Sequence, residues 1–208
     1  GGGVNAVLKQ AHFGDAGALS PQVDVSAQYR SVDDSVSAGG TVGLANDRVR
    51  VGAIASWEQG DDTRFPLGRV GGTGFERAVY GVHAGFQTGP GEISLEYRRQ
   101  DTGRSGNPPF AMDIIYFHTD FVSAKFEGEV AEKLTLEAYT DYSGVKHRMN
   151  NFALRSTPAV AATRQSDTFA DTLGAGLSLR FGSAEQHIRI GGDFEAVDKG
   201  FMLYNPLS

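Results

Sequence analysis

Apolar and polar positions alternate with a period of two through most of this chain, the pattern of half-buried extended strands rather than helices. Val49, Val51, Ala53, Ala55 and Trp57 alternate with Arg50, Gly52, Ile54, Ser56 and Glu58. Ala78, Tyr80, Val82, Ala84 and Phe86 share one face of the next run, with Val79, Gly81, His83, Gly85 and Gln87 on the other. The pattern repeats around Ile93, Leu95 and Tyr97, through 172–181 and through 188–195, and more weakly in 23–29, 36–44, 122–126 and 134–138. The prediction is an all-β protein of about nine strands, each of roughly ten residues, with no helix.

The connections come in two kinds. Turn-forming residues sit at Asn46-Asp47, Gly89-Pro90-Gly91, Ala131-Glu132-Lys133 and Gly182-Ser183-Ala184, and between them run long polar links at 59–75, 99–112 and 144–166. A soluble sandwich has connections of similar length at regular spacing. Short turns at one end and long loops at the other predict an antiparallel transmembrane β-barrel segment, with periplasmic turns and extracellular loops.

Side-chain chemistry points the same way. One face of the strands is almost free of charge in its middle. The other carries Asp24, Arg30, Arg50, Arg77, Glu96, Arg98, Lys125, Glu127, Glu137, Arg180, Arg189 and Asp193. Lipid against the first face and a wet lumen against the second would satisfy both. Aromatics at strand ends (Tyr29, Trp57, Tyr80, Phe86, Tyr97, Phe126, Phe169, Phe181) fit interfacial girdles. Ten tilted residues at about 3.4 Å each match a hydrocarbon band roughly 25 Å tall. Nine strands leave an open edge, and unpaired backbone in lipid costs several kcal/mol per group. The chain is therefore expected to be part of a larger barrel. Should one weak segment not be a strand, an eight-stranded barrel closing on itself is the alternative.

Composition removes competing classes. The chain has 28 glycines, no cysteine and a net charge of −6. That balance excludes a nucleic-acid partner, and disulfide scaffolds and zinc-binding cysteine pairs are impossible within it. No apolar run approaches the length of a membrane helix. The expected location is the cell outer membrane, with its lipid as a partner.

Residues 1–10 (GGGVNAVLKQ) resemble the last strand of the plug domain of TonB-dependent outer-membrane receptors, a Gly-rich, Val-Asn-containing run just before the barrel. The hairpins that follow resemble the first nine strands of that family's 22-stranded barrel. The resemblance implies a plug end and link at 1–15 and the N-terminal part of the barrel at 16–208. Two further stretches, 147–155 (HRMNNFALR) and 107–114 (NPPFAMDI), resemble the copper receptors of this family. In those, a His-x-Met pair on the barrel meets a Cys-x-x-x-Met in the plug, which has no counterpart here. What the resemblance implies is a receptor and transporter for copper ions, driven by the TonB energy-coupling complex through a plug region preceding this chain. The ion is cargo, and no organic cofactor is implied.

His147 and Met149 have a physical rationale of their own. Positions i and i+2 of an extended chain point the same way, so an imidazole nitrogen and a thioether can converge on one ion. The thioether favours copper(I), and imidazole suits copper in either oxidation state. The bland alternative is an inert pair in a long polar loop. Met112 is a further soft atom near the loops, expected to be gap-filling. His12, His83, His118 and His187 stand isolated in sequence. Asp33-Asp34, Asp61-Asp62, Asp113 and Asp120 are expected to be solvated loop carboxylates, Gly71-Gly72-Thr73-Gly74 a loop rather than a phosphate cradle, and Asn46-Asp47 a turn. No catalytic cluster emerges, so no enzyme is expected. The competing functions are the same architecture importing another ligand, such as an iron-siderophore chelate, or a small self-contained outer-membrane barrel.

Overall fold

The computed structural model describes residues 10–15, 17–183 and 186–207. Residues 1–9, which carry nearly all of the stretch likened to a plug end, lie outside them. The strands are β1 (Ser20–Arg30), β2 (Ser35–Ala45), β3 (Val49–Gly60), β4 (Arg64–Phe65), β5 (Gly68–Arg69), β6 (Phe75–Gln87), β7 (Gly91–Thr102), β8 (Asp113–Ala131), β9 (Leu134–Asn150), β10 (Gln165–Gly182) and β11 (His187–Tyr204). Nine of them form one antiparallel sheet in the order β1-β2-β3-β6-β7-β8-β9-β10-β11. Strands β4 and β5 make a separate two-residue hairpin inside the link between β3 and β6. Among the described residues a single 3-10 turn, Val160–Ala162, interrupts the all-β architecture.

Register turns the alternation into two opposite surfaces. Following Cα partners across the whole sheet, Val23, Val42, Ala53, Val82, Tyr97, Val122, Tyr142, Leu173 and Ala196 form one row. One residue along, Gln22, Gly43, Gly52, His83, Glu96, Ser123, Asp141, Gly174 and Glu195 form the neighbouring row on the other face. Pleating separates the rows, so the first surface is apolar and the second polar. The predicted girdle aromatics all fall on the apolar surface.

The apolar surface has nothing packed on it. Val23, Val25, Val82, Leu177 and Ile190 are each more than half exposed, and among the described residues Ala11 and Ala45 are the only buried apolar ones. A soluble domain of this size would enclose a dry core. Here the apolar face is continuous, exposed and banded, as lipid contact requires. Charges on the polar face pair across it: Arg30 with Glu58 at 3.1 Å, Arg50 with Glu92 at 2.6 Å, Lys125 with Glu127 at 2.7 Å and Arg189 with Glu137 at 2.6 Å.

The turns follow their residues. Asn46 Oδ1 accepts the amides of Arg48 (2.9 Å) and Val49 (2.7 Å), and Lys133 takes a positive φ of 59° in the two-residue turn between β8 and β9. No described residue of β1 pairs with β11, so the wall is an open nine-stranded sheet and the self-closed eight-stranded alternative does not form.

Strand length departs from expectation. Strand β8 runs for 19 residues, β9 for 17, and β10 and β11 for 18 each. The supposed long links at 99–112 and 144–166 shrink to 103–112 and 151–164. The reason is chemical. Past Tyr97 and Tyr142 the lipid-side surface itself turns polar, with Arg99, Asp101, His118, Asp120, Lys146, Arg148 and Asp167, so alternation vanishes while hydrogen-bonded pairing continues.

Candidate metal site at the outer end of the wall

Tyrosine hydroxyls mark where the apolar band ends. Tyr97 donates to Asp120 at 2.8 Å, Tyr142 to Asp171 at 2.7 Å and Tyr29 to Asp34 at 2.8 Å. Each ring covers band while its hydroxyl meets a carboxylate above it. His147 lies five residues beyond Tyr142 along β9, about 17 Å at strand rise. It therefore stands above the band, in the part of the wall that meets water on both faces.

His147 and Met149 were expected in a loop; both belong to β9, near its end at Asn150. The strand gives them what a loop would not, a fixed common direction. Across the ladders His147 has Phe117 of β8 and Thr168 of β10 as Cα partners, and Met149 has Ile114 and Ser166. Both lie on the polar, lumen-side surface. A bulge between Ile114 and Tyr116 re-aims β8 at this level. The His147 ring meets the Phe117 ring at 5.0 Å with a 63° interplanar angle, and its Nε2 is buried without a hydrogen-bond partner. Burial holds this imidazole below the ordinary histidine range, which keeps it neutral and able to offer a lone pair.

A buried ion pair braces the site. Arg155, in the loop after β9, grips Asp113 at the start of β8, its Nε donating at 2.6 Å and its Nη2 closing the second bond. The same guanidinium donates to the Phe110 carbonyl at 3.1 Å, and the Asn107 amide donates to Asp113 at 2.9 Å. Asp113 is only 2% exposed, and hydrogen bonding from Arg155 draws its carboxyl below the usual range. Loops 103–112 and 151–164 are thus fastened together. Met112 precedes Asp113 in this clasp, and Asn150, next to Met149, is the Cα partner of Asp113.

The other sequence candidates resolve into structural roles. His83 is buried, and its Nε2 accepts the Ala11 amide at 3.0 Å. His118, isolated in sequence, is not isolated in space: Nδ1 lies 2.5 Å from Asp101 Oδ1 and the ring stacks on Tyr116. Asp33 accepts from Arg30 and the Ser35 amide, Asp34 pairs with Arg64, and Asp120 pairs with Arg99. Asp62 accepts the amides of Thr73 and Gly74, ordering the glycine-rich loop. His12 holds Gln22 only through its backbone, and His187 is exposed at the start of β11. Among the described residues no group of three or more His, Asp or Glu is arranged to hold an ion. A hard-cation cage is absent there.

No family model matches the chain, and neither does a curated protein sequence. Solved structures do. The copper transporter OprC superimposes with a TM-score of 0.83 over 94% of this chain, at 20% sequence identity. A loop-deletion mutant of OmpT, an outer membrane protein of Vibrio cholerae, aligns over 88% of this chain and 62% of its own at 13% identity and a TM-score of 0.44. The fold is an outer-membrane β-barrel wall. The chain spans 31% of the length of the transporter.

Proposed function

We propose that this chain is wall and outer rim of a TonB-dependent outer-membrane receptor that takes up copper ions, with His147 and Met149 as the wall's contribution to the metal site. One observation carries the reading: an imidazole and a thioether, two residues apart on the lumen-side surface of β9, stand beyond the apolar band where an external ion would arrive. The superposition on a copper transporter supports it. Two soft donors suit copper(I), and a third or fourth would come from a plug inside the barrel. Most of such a plug and its energy-coupling segment would precede this chain, residues 1–15 being the plug's end and its link to the barrel.

The lumen strap at residues 10–13 supports that arrangement. Arg50 donates to Gln10 Oε1 at 2.8 Å and to the Ala11 carbonyl at 3.0 Å, and lies 5.2 Å from the Phe13 ring centroid. The chain thus reaches β1 along the inside of the wall. The test is copper(I) and copper(II) binding by the full-length protein, compared with His147→Ala and Met149→Ala. Each substitution should weaken copper(I) binding tenfold or more. Unchanged affinity in both removes the copper assignment, and an iron-chelate or other ligand then becomes the cargo to screen.

A further inference from the structure

We infer that His83 and Glu96 form a proton-operated latch on the strap at 10–13, closed while the His83 imidazole is neutral and open once it is protonated. The latch stands apart from the copper reading and rests on three sets of contacts. The Ala11 amide donates to His83 Nε2 at 3.0 Å, and the Gln10 side-chain amide donates to Glu96 Oε2 at 3.4 Å. Arg50 holds Gln10 Oε1 and the Ala11 carbonyl. His83 and Glu96 are direct Cα partners across the β6–β7 ladder, so the strap is tied to two neighbouring side chains of one lumen-side row.

The closed state fixes the tautomer. Nε2 accepts a backbone N–H, so the neutral ring carries its single hydrogen on Nδ1. A second proton has one place to go, Nε2, and the imidazolium then has donors on both nitrogens. Two N–H groups would face each other where Ala11 now donates, and that contact must part. Glu96 supplies the alternative. Its Oε1 is sealed from solvent and has no hydrogen-bond partner, with Arg98 Nη1 3.7 Å away. A carboxylate directly across the ladder is within reach of an imidazolium, and engaging it draws Glu96 away from Gln10. One proton thus undoes two of the three tethers and leaves those of Arg50. The charged groups facing His83 are Arg50 on β3, with its partner Glu92 at 2.6 Å, and Glu96 and Arg98 on β7. Gly81 and Gly85 flank it on β6, and Gln10 and Ala11 bring no charge from the strap. Of the two carboxylates, Glu92 is engaged by Arg50, and Glu96 has the unpartnered oxygen.

The test is amide exchange in the full-length protein in detergent, corrected for its intrinsic pH dependence. Histidine rings labelled with nitrogen-15 are followed in the same samples from about pH 8 to about pH 4.5. Protection of the Ala11 amide should fall roughly tenfold or more in step with protonation of the His83 ring. Protection of Gly14, whose amide donates to the Asn46 carbonyl at 3.0 Å, should hold. His83→Gln keeps an oxygen acceptor but cannot titrate; it assigns the ring and should make Ala11 protection independent of pH. Glu96→Gln should move the loss to lower pH, because the protonated ring no longer gains a carboxylate. Ala11 protection that stays flat in the parent overturns the latch, whatever the variants do. A fall that persists in His83→Gln, or that Gly14 shares, overturns it too. A fall at the same pH in Glu96→Gln overturns the part assigned to Glu96.

Discussion

The backbone amide of Ala11 donates to Nε2 of His83 across 3.0 Å, joining two positions 72 residues apart in the chain. That bond holds the strap at 10–13 to the lumen-side surface of β6, and both partners are buried. Arg50 seconds it through Gln10 and the Ala11 carbonyl. Replacing His83 with Ala removes the acceptor and leaves a buried amide unpaired, at a cost of about 1–3 kcal/mol. The expected outcome is amide exchange at Ala11 accelerated roughly tenfold or more, with the sheet unaffected. Exchange at the parent rate would mean that the Arg50 contacts hold the strap alone.

Gly52 tests the same relationship from the opposite strand. A Cβ added there would lie 2.6 Å from His83 Cε1 and 2.7 Å from the Val42 carbonyl oxygen. The carbonyl belongs to the ladder and cannot retreat, and the imidazole can move only by letting go of Ala11. Gly52→Ala is expected to lower refolding yield and to free the strap together, read as protease sensitivity at 10–15. A variant that refolds normally with a protected strap would show that His83 has room to move without releasing Ala11.

Asp113 and Arg155 make the outer clasp pH-dependent. The carboxyl of Asp113 lies below its ordinary value of 3.8 because Arg155 hydrogen-bonds the charged form. A carboxyl depressed in the folded state contributes stability that is complete above 3.8 and is lost as pH falls through the lower folded value. Protection of loops 103–112 and 151–164 against hydrogen exchange, after correction for the intrinsic pH dependence of amide exchange, should therefore be steady from neutral pH down to about pH 4 and fall below it. Arg155→Ala leaves a buried charge without its partner, a change worth roughly 3–5 kcal/mol. It should open both loops already at neutral pH. Loops that stay equally protected in Arg155→Ala would mean the clasp is held by Asn107 and the backbone instead.

How far the sequence speaks depends on what each surface touches. Wherever one face meets lipid and the other water, alternation is clean, and Val49 to Trp57 and Ala78 to Phe86 reveal strand, face and girdle. Beyond the tyrosines both faces meet water. Asp120, Lys146 and Arg148 then read as loop although they lie in β8 and β9. That is why the sequence pairs His147 with Met149 yet puts both in a loop, although they lie in β9. Phe117 carries no signal of its own, because its contact with the His147 ring comes from a ladder partner 30 residues away in sequence. The Ala11–His83 and Asp113–Arg155 contacts are equally silent, since each needs the register of the whole sheet to be known.

The lipid-facing assignment itself can be tested on a single strand. Val82 sits between Tyr80 and Phe86 on the apolar surface of β6 and is 55% exposed. Val79, three residues earlier, lies on the lumen-side surface beside Ser56 and Gln100. The two positions share residue type and strand and differ in the medium they face. A lysine facing hydrocarbon costs up to about 2–4 kcal/mol, less toward the edge of the band, whereas lumen positions tolerate charge. Refolding of the full-length protein into lipid vesicles should be strongly impaired by Val82→Lys and little changed by Val79→Lys. If the order reverses, the polar surface is the one against lipid. If both are harmless, the exposed apolar surface does not meet acyl chains, and the barrel, its rim and the proposed metal site would need another explanation.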